Sequence, residues 1–104
     1  MAYVRVTIVK LTTGGMGEIL ERVGREMAPV FRGQPGFIAY QGVQTGEDAG
    51  LTINVWDTQE QADQSAATAG AWIREQLGGR IAAAETHVGK VVFSASREAV
   101  AVTT

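Results

Sequence analysis

Cysteine is absent from this chain, which excludes disulfides, thiolate metal sites and thiol nucleophiles. That absence suits a reducing compartment, and the cytoplasm is the expected location. Histidine occurs once, as His87. With no cysteine beside it, too few ligands remain for a transition-metal site built by one chain. No metal and no bound cofactor are expected. A basic stripe is also missing: 9 Lys and Arg residues are interspersed with 11 Asp and Glu, for a formal net charge of −2. Nucleic acid is therefore not expected as a partner. No apolar run approaches the roughly 20 residues of a membrane-spanning helix, so no membrane partner is expected either. Arg5 and Lys10 interrupt the first apolar stretch and argue against a signal peptide. The acidic residues show no pairing of the glycosidase kind. Gly14-Gly15-Met16-Gly17 lacks the G-x-G-x-x-G pattern of a dinucleotide loop.

What is present fits one globular domain. The chain has 104 residues, of which 45% are hydrophobic and 19% charged. A domain of this size buries roughly two-thirds of its unfolded surface, enough to fold without staples. The domain is expected over residues 1–96, with a tail at 97–104 for which the pattern gives no element.

Tyr3 to Leu11 alternates with period two, Val4, Val6 and Ile8 on one face and Arg5, Thr7 and Val9 on the other, which predicts a strand. From Met16 to Phe31 the apolar residues recur at helical spacing. Pro29 should kink or end that helix. Phe37 to Thr45 reads as a second strand and Leu51 to Trp56 as a third, joined by a hairpin-sized loop. Thr58-Gln59-Glu60-Gln61 has the form of a capping box and should start a second helix. Gly70 is a point where this helix could divide, and Gly78-Gly79 should end it. A last strand is expected from about Thr86 to Ala95.

The order β-α-β-β-α-β predicts an α+β, ferredoxin-like fold: a four-stranded antiparallel sheet with two helices on one face. The other face then has no cover from its own chain. Phe37 to Tyr40 and Val91 to Phe93 are apolar on both sides, and Trp56 lies opposite Leu51, Ile53 and Val55. Both faces therefore read as buried, and a homodimer packed sheet to sheet is expected.

Pro35-Gly36-Phe37-Ile38-Ala39-Tyr40-Gln41-Gly42-Val43 resembles the "PGF" second strand of the antibiotic-biosynthesis-monooxygenase superfamily, the dimeric α/β barrels. Ile53 to Ala62 is similar to that family's W-x-S/T-x-E-x-A strand-to-helix junction. The resemblance spans about Val4 to Ala95. It implies a pocket between the sheet and the helices of one subunit. It also implies one of several activities: cofactor-free oxidation of aromatic polyketides or quinols, haem degradation, or none known. The haem degraders' asparagine, tryptophan and histidine fall on Thr7, Ser65 and the vicinity of Glu75 here, which argues against haem degradation. The histidine of many quinol-type members, near Ser65, is missing too.

His87 is the one side chain whose ordinary pKa lies near neutrality. It is either a general base that deprotonates a phenol or hydroquinone, or a strand-edge histidine with an ordinary hydrogen bond. Trp72 either stacks on a planar ligand from the roof of a pocket or belongs to the core, while Trp56 reads as packing. Tyr40 could offer a hydroxyl to a ligand or simply pack. Arg5, Thr7, Thr52 and Asn54 are polar strand residues opposite Val4, Val6 and Ile8. If their face is buried between sheets each needs a partner, so they form interface bonds or line a cavity. The site expected from sequence is thus His87 as catalytic residue, with Trp72, Tyr40, Ser65, Thr7 and Asn54 around a small aromatic ligand. Two functions fit: a cofactor-free monooxygenase on an aromatic or quinone-like molecule, or a dimeric barrel that binds a ligand or plays a structural part without turnover.

Overall fold

The structure is a computed structural model that describes residues 2–98 and 100–102. Strand β1, Tyr3–Leu11, is central and pairs antiparallel with β3, Ala49–Trp56, on one side and β4, Ile81–Lys90, on the other. Strand β2, Phe37–Gln44, flanks β3, giving the order β2-β3-β1-β4. Helices α1, Met16–Glu26, α2, Ala28–Arg32, and α3, Gln59–Leu77, complete the β-α-β-β-α-β order. The ferredoxin-like α+β fold is as the sequence pattern implies.

Several boundaries differ from the sequence reading for physical reasons. The first helix divides at Met27 into α1 and α2, with Pro29 in the first turn of α2. Proline has no N–H to bond back to Arg25, so the break comes ahead of it. Helix α3 runs through Gly70 undivided. The roughly 1 kcal/mol that a mid-helix glycine costs is outweighed there by the packing of Ala69, Trp72 and Ile73 on the core. Its start is the expected capping box: Gln61 N–H donates to Thr58 Oγ1 at 3.2 Å, and Thr58 N–H to Gln61 Oε1 at 3.1 Å. Gly36 turns the chain into β2 with φ +80, in the left-handed region that favours glycine, and a Cβ there would run into Gln61.

The last expected strand moves most. It begins at Ile81, after a 3-10 turn at Gly78–Arg80, and ends at Lys90. Pairing along the whole of β1 overrides the weak strand propensity of Ala82, Ala83 and Ala84. Phe93–Ala95 then forms β5, which pairs with β6, Val100–Val102, as a separate two-stranded ribbon. The sequence pattern assigned no element to the tail at 97–104, and it contains this strand. Residues 99, 103 and 104 of the tail lie outside the described residues.

The two faces of the sheet decide between the alternatives left open for the polar strand residues. Arg5, Thr7, Asn54 and Trp56 are buried beneath the helices. Val4, Val6, Ile8, Ile53 and Val55 lie on the opposite, uncovered face, where Ile8 is 46% exposed. The polar strand residues therefore belong to the interior of the subunit and not to a sheet-to-sheet contact.

Two apolar clusters fill the space under the helices. Met27, Phe31, Trp56, Ala62 and Ala69 form one. Leu11, Met16, Ile19 and Leu77 form the other. Phe31 meets the rings of Tyr40 and Trp56 edge-on, at centroid distances of 5.2 and 5.7 Å.

Candidate functional site

The strand registers arrange the inner face of the sheet in rows. Phe37, Trp56, Tyr3 and Lys90 form one row across β2, β3, β1 and β4. Tyr40, Asn54, Arg5 and Val88 form the next, then Gly42, Thr52, Thr7 and Thr86. Polar side chains thus occupy the middle of this face.

Above the second and third rows lies a cavity of about 50 Å³. Arg5, Thr7, Tyr40 and Thr52 line its floor; Trp72, Ile73, Met16, Leu20 and Val23 belong to its roof and walls. Gly50 keeps the floor low, since a Cβ there would meet the Met16 side chain at 3.0 Å. The free volume holds a few waters at roughly 10–15 Å³ each. A wider groove of about 680 Å³ lies outside, by Gln34, Pro35 and the start of α3. Glu60 is its one ionisable side chain, so the enclosed cavity is the better chemical candidate.

Arg5 dominates the electrostatics of the cavity. It is 2% exposed, and no ion pair reaches it among the described residues. Its Nε donates to Ser65 Oγ at 2.8 Å and its Nη1 to Thr7 Oγ1 at 2.6 Å. Thr7 Oγ1 also lies 3.2 Å from Thr86 Oγ1, in a hydrogen bond that either hydroxyl can donate. Ser65 in turn donates to the Ala62 carbonyl at 2.6 Å. The ring of Phe31 lies 5.9 Å from the guanidinium carbon. Nη2 has no partner.

Burial pulls the Arg5 pKa below its usual value, with Tyr40 acting the other way. Burial pushes the Tyr40 hydroxyl above the usual tyrosine value, against the opposing pull of Arg5 and Thr52. Tyr40 stands close enough for that mutual influence, yet not in the geometry of a hydrogen bond to Nη2. Arg5 and Tyr40 are the only ionisable side chains among the described residues of the wall.

The residues singled out from sequence separate into three places. Thr7, Tyr40 and Trp72 reach the cavity. Ser65 and Asn54 sit behind it: Ser65 holds Arg5, and Asn54 Oδ1 accepts from Trp56 Nε1 at 3.1 Å, leaving Asn54 Nδ2 unpartnered. His87 does not reach the cavity. It pairs across from Val6 on the uncovered face, 3.5 Å from Glu85 with its side chain 68% exposed. Period-two alternation decides this, because Val88 and Thr86 take the inward positions.

Sequence reasoning gave Arg5 as an interface or cavity residue but left it out of the expected site. Its signal was there: Arg5 and Thr7 share a strand face with Asn54 and Thr52 across the pair. Sequence reasoning missed the polar cluster over the roof. Trp72 Nε1 donates to Glu26 Oε1 at 3.2 Å, and Arg22 bonds both Glu26, at 2.7 Å, and Gln76. Arg22 also lies over the Trp72 ring, 5.3 Å from its centroid. These contacts tie α1 to α3 directly above the cavity.

No family model matches the chain, and no curated protein matches it. Solved structures do. A candidate antibiotic biosynthesis monooxygenase from Nitrosomonas europaea superposes with a TM-score of 0.71 at 14% identity, over 88% of this chain and 90% of that one. A variant of SnoaB, a cofactor-independent oxygenase from Streptomyces nogalater, gives 0.67 at 19% identity, over 86% and 92%. The chain has the fold of the antibiotic biosynthesis monooxygenases. A MhuD variant with two manganese protoporphyrin IX bound per active site shares this antibiotic-biosynthesis-monooxygenase fold, with a TM-score of 0.66 at 18% identity, over 90% and 98%. Oxygenase and porphyrin binder thus stand on one scaffold, and the side chains of the cavity have to carry the functional argument.

Proposed function

We propose that this protein is a cofactor-independent monooxygenase acting on an aromatic or quinol-like small molecule. One observation carries the reading: an apolar cavity roofed by two helices has a buried guanidinium and a phenol in its floor. The aliphatic walls and Trp72 suit a flat ring, while the floor supplies polar groups at one edge. The chemistry needs little more. A ring carbon made nucleophilic by ionisation forms a C–O bond to oxygen, giving a hydroperoxide that loses water. In sum a ring CH2 and O2 become C=O and H2O, with all four electrons supplied by the substrate. In this reading Tyr40, kept protonated by burial, donates a proton to the departing hydroxide.

Anthrone tests this directly. The protein, with no reductant added, should consume one O2 for each anthraquinone formed, faster than the buffer reaction. A rate equal to buffer would sink the oxygenase reading for this substrate class. Haem degradation is no part of the proposal, since the resemblance puts Thr7, Ser65 and the vicinity of Glu75 where the haem degraders have asparagine, tryptophan and histidine.

A second reading, a barrel that binds a ligand without turnover, has its own support. The cavity measures only about 50 Å³, and its described wall has neither histidine nor carboxylate to act as a base. Ligand binding without oxygen uptake would select it.

The working unit in either reading is a homodimer. Val4, Val6, Ile53 and Val55 form a continuous apolar surface on the uncovered face of the sheet. A second copy packed on it would remove that surface from water. A monomeric mass at micromolar concentration would refute this. No helix among the described residues is long and apolar enough to cross a membrane. With no cysteine in the chain, the cytoplasm is the proposed compartment.

A further inference from the structure

We infer that the cavity takes its ligand as an oxyanion, a phenol, enol or hydroquinone ionised at one ring oxygen, received by Nη2 of Arg5. The inference rests on the cavity being the ligand site, and it goes on to name what the ligand must carry. A guanidinium that is 2% exposed and has no carboxylate partner is a buried charge without compensation. Its surroundings hold it in place without neutralising it. Ser65 and Thr7 accept from Nε and Nη1, and Phe31 offers a ring face. Among the described residues, both buried side-chain atoms left without a hydrogen-bond partner, Arg5 Nη2 and Asn54 Nδ2, are N–H donors. The Tyr40 hydroxyl beside the guanidinium is neutral, so what is missing is a negatively charged acceptor.

The geometry also narrows the kind of anion. A carboxylate bound side-on uses two donors of one guanidinium edge. Nε–H is taken by Ser65 and one N–H of Nη1 by Thr7, so side-on binding along the Nε edge is blocked and Nη2 is the one nitrogen with no bond of its own among the described residues. One such nitrogen suits one oxygen, as on an aromatic ring. The apolar walls of the cavity suit the ring behind that oxygen. No described wall residue is a histidine or carboxylate, so nothing there is suited to take the ligand's proton as a base. The guanidinium then favours the ionised ligand by its charge, and the proton leaves to solvent as the ligand binds. Tyr40 of β2 is the only other ionisable group facing the cavity among the described residues; α1, α3 and β3 present none.

The test uses 4-nitrophenol, whose neutral and ionised forms differ in colour, with 4-nitroanisole as the uncharged analogue. Bound to the full-length protein, 4-nitrophenol should titrate at least about one pH unit below its value in buffer. Arg5→Met and Arg5→Gln should remove that shift and weaken 4-nitrophenol binding about tenfold or more, while leaving 4-nitroanisole binding within twofold. Should either variant fail to fold, the shift measured on the unaltered protein decides alone. An unshifted titration, or no binding of 4-nitrophenol, overturns the inference. Benzoate competing as well as 4-nitrophenol overturns the phenol class. The oxygenase reading fails separately: a shifted titration without oxygen uptake from anthrone sinks the oxygenase alone. Oxygen uptake with an unshifted titration sinks the oxyanion site alone.

Discussion

Trp72 on α3 donates its indole N–H to Glu26 on α1 across 3.2 Å, directly over the cavity that Trp72 also lines. The same carboxylate accepts from Arg22 at 2.7 Å. Arg22 first of all, and Trp72 with it, hold the Glu26 carboxyl below its ordinary value of 4.5. A carboxyl lowered by folding stabilises the fold above the unfolded value, and that contribution is lost as pH falls through the folded one. The link between α1 and α3 should therefore loosen in acid, below about pH 4.5. Trp72 emission should change over that range in the native protein. It should stay flat in Glu26→Gln, which keeps an acceptor but does not titrate. Trp56, 1% exposed, gives the constant background.

Arg5→Met should leave the unliganded protein as stable as before or stabilise it by about 1 kcal/mol, read from urea unfolding. Replacing a buried, uncompensated charge by an apolar side chain of similar length removes its desolvation cost. Ser65 keeps its bond to Ala62 and Thr7 its contact with Thr86, so neither hydroxyl is stranded. A loss of several kcal/mol would instead mark Arg5 as structural.

His87→Ala should leave the rate of anthrone oxidation within about twofold, because His87 is on the face of the sheet away from the cavity. Tyr40→Phe should lower it by roughly a hundredfold if the hydroxyl transfers the proton. Measuring kcat and KM for both variants separates these roles from loss of binding.

Ile53→Asp places a charge in the middle of the uncovered face, beside Val6. Sedimentation should show half the mass of the native protein at micromolar concentration. An unchanged mass would mean that the subunits associate elsewhere.

How much of this could be read from the residues depends on the kind of signal. The order of elements was legible because period-two and helical spacing are local properties of Tyr3 to Leu11 and of Met16 to Phe31. The capping box at Thr58 and Gln61 was legible because it is a four-residue bond pattern. The start of β4 at Ile81 was not, since alanines there become a strand only by pairing with β1. Alternation along β1 distinguishes two faces without saying which of them the helices cover. Arg5 was left between two sheets or in a cavity, and it lies in the cavity wall. The site follows from that one choice of face, and so does the exclusion of His87 from it.

The central strand therefore serves two surfaces in alternation, Arg5, Thr7 and Val9 toward the helices and Val4, Val6 and Ile8 toward the outside. A substitution scan along Tyr3–Leu11 should then read out as an alternating phenotype. Odd-numbered positions should alter what the subunit holds, and even-numbered ones what it meets. Neighbouring residues on one strand can in this way be retuned separately, and a ligand preference can drift under selection while the partner surface stays fixed.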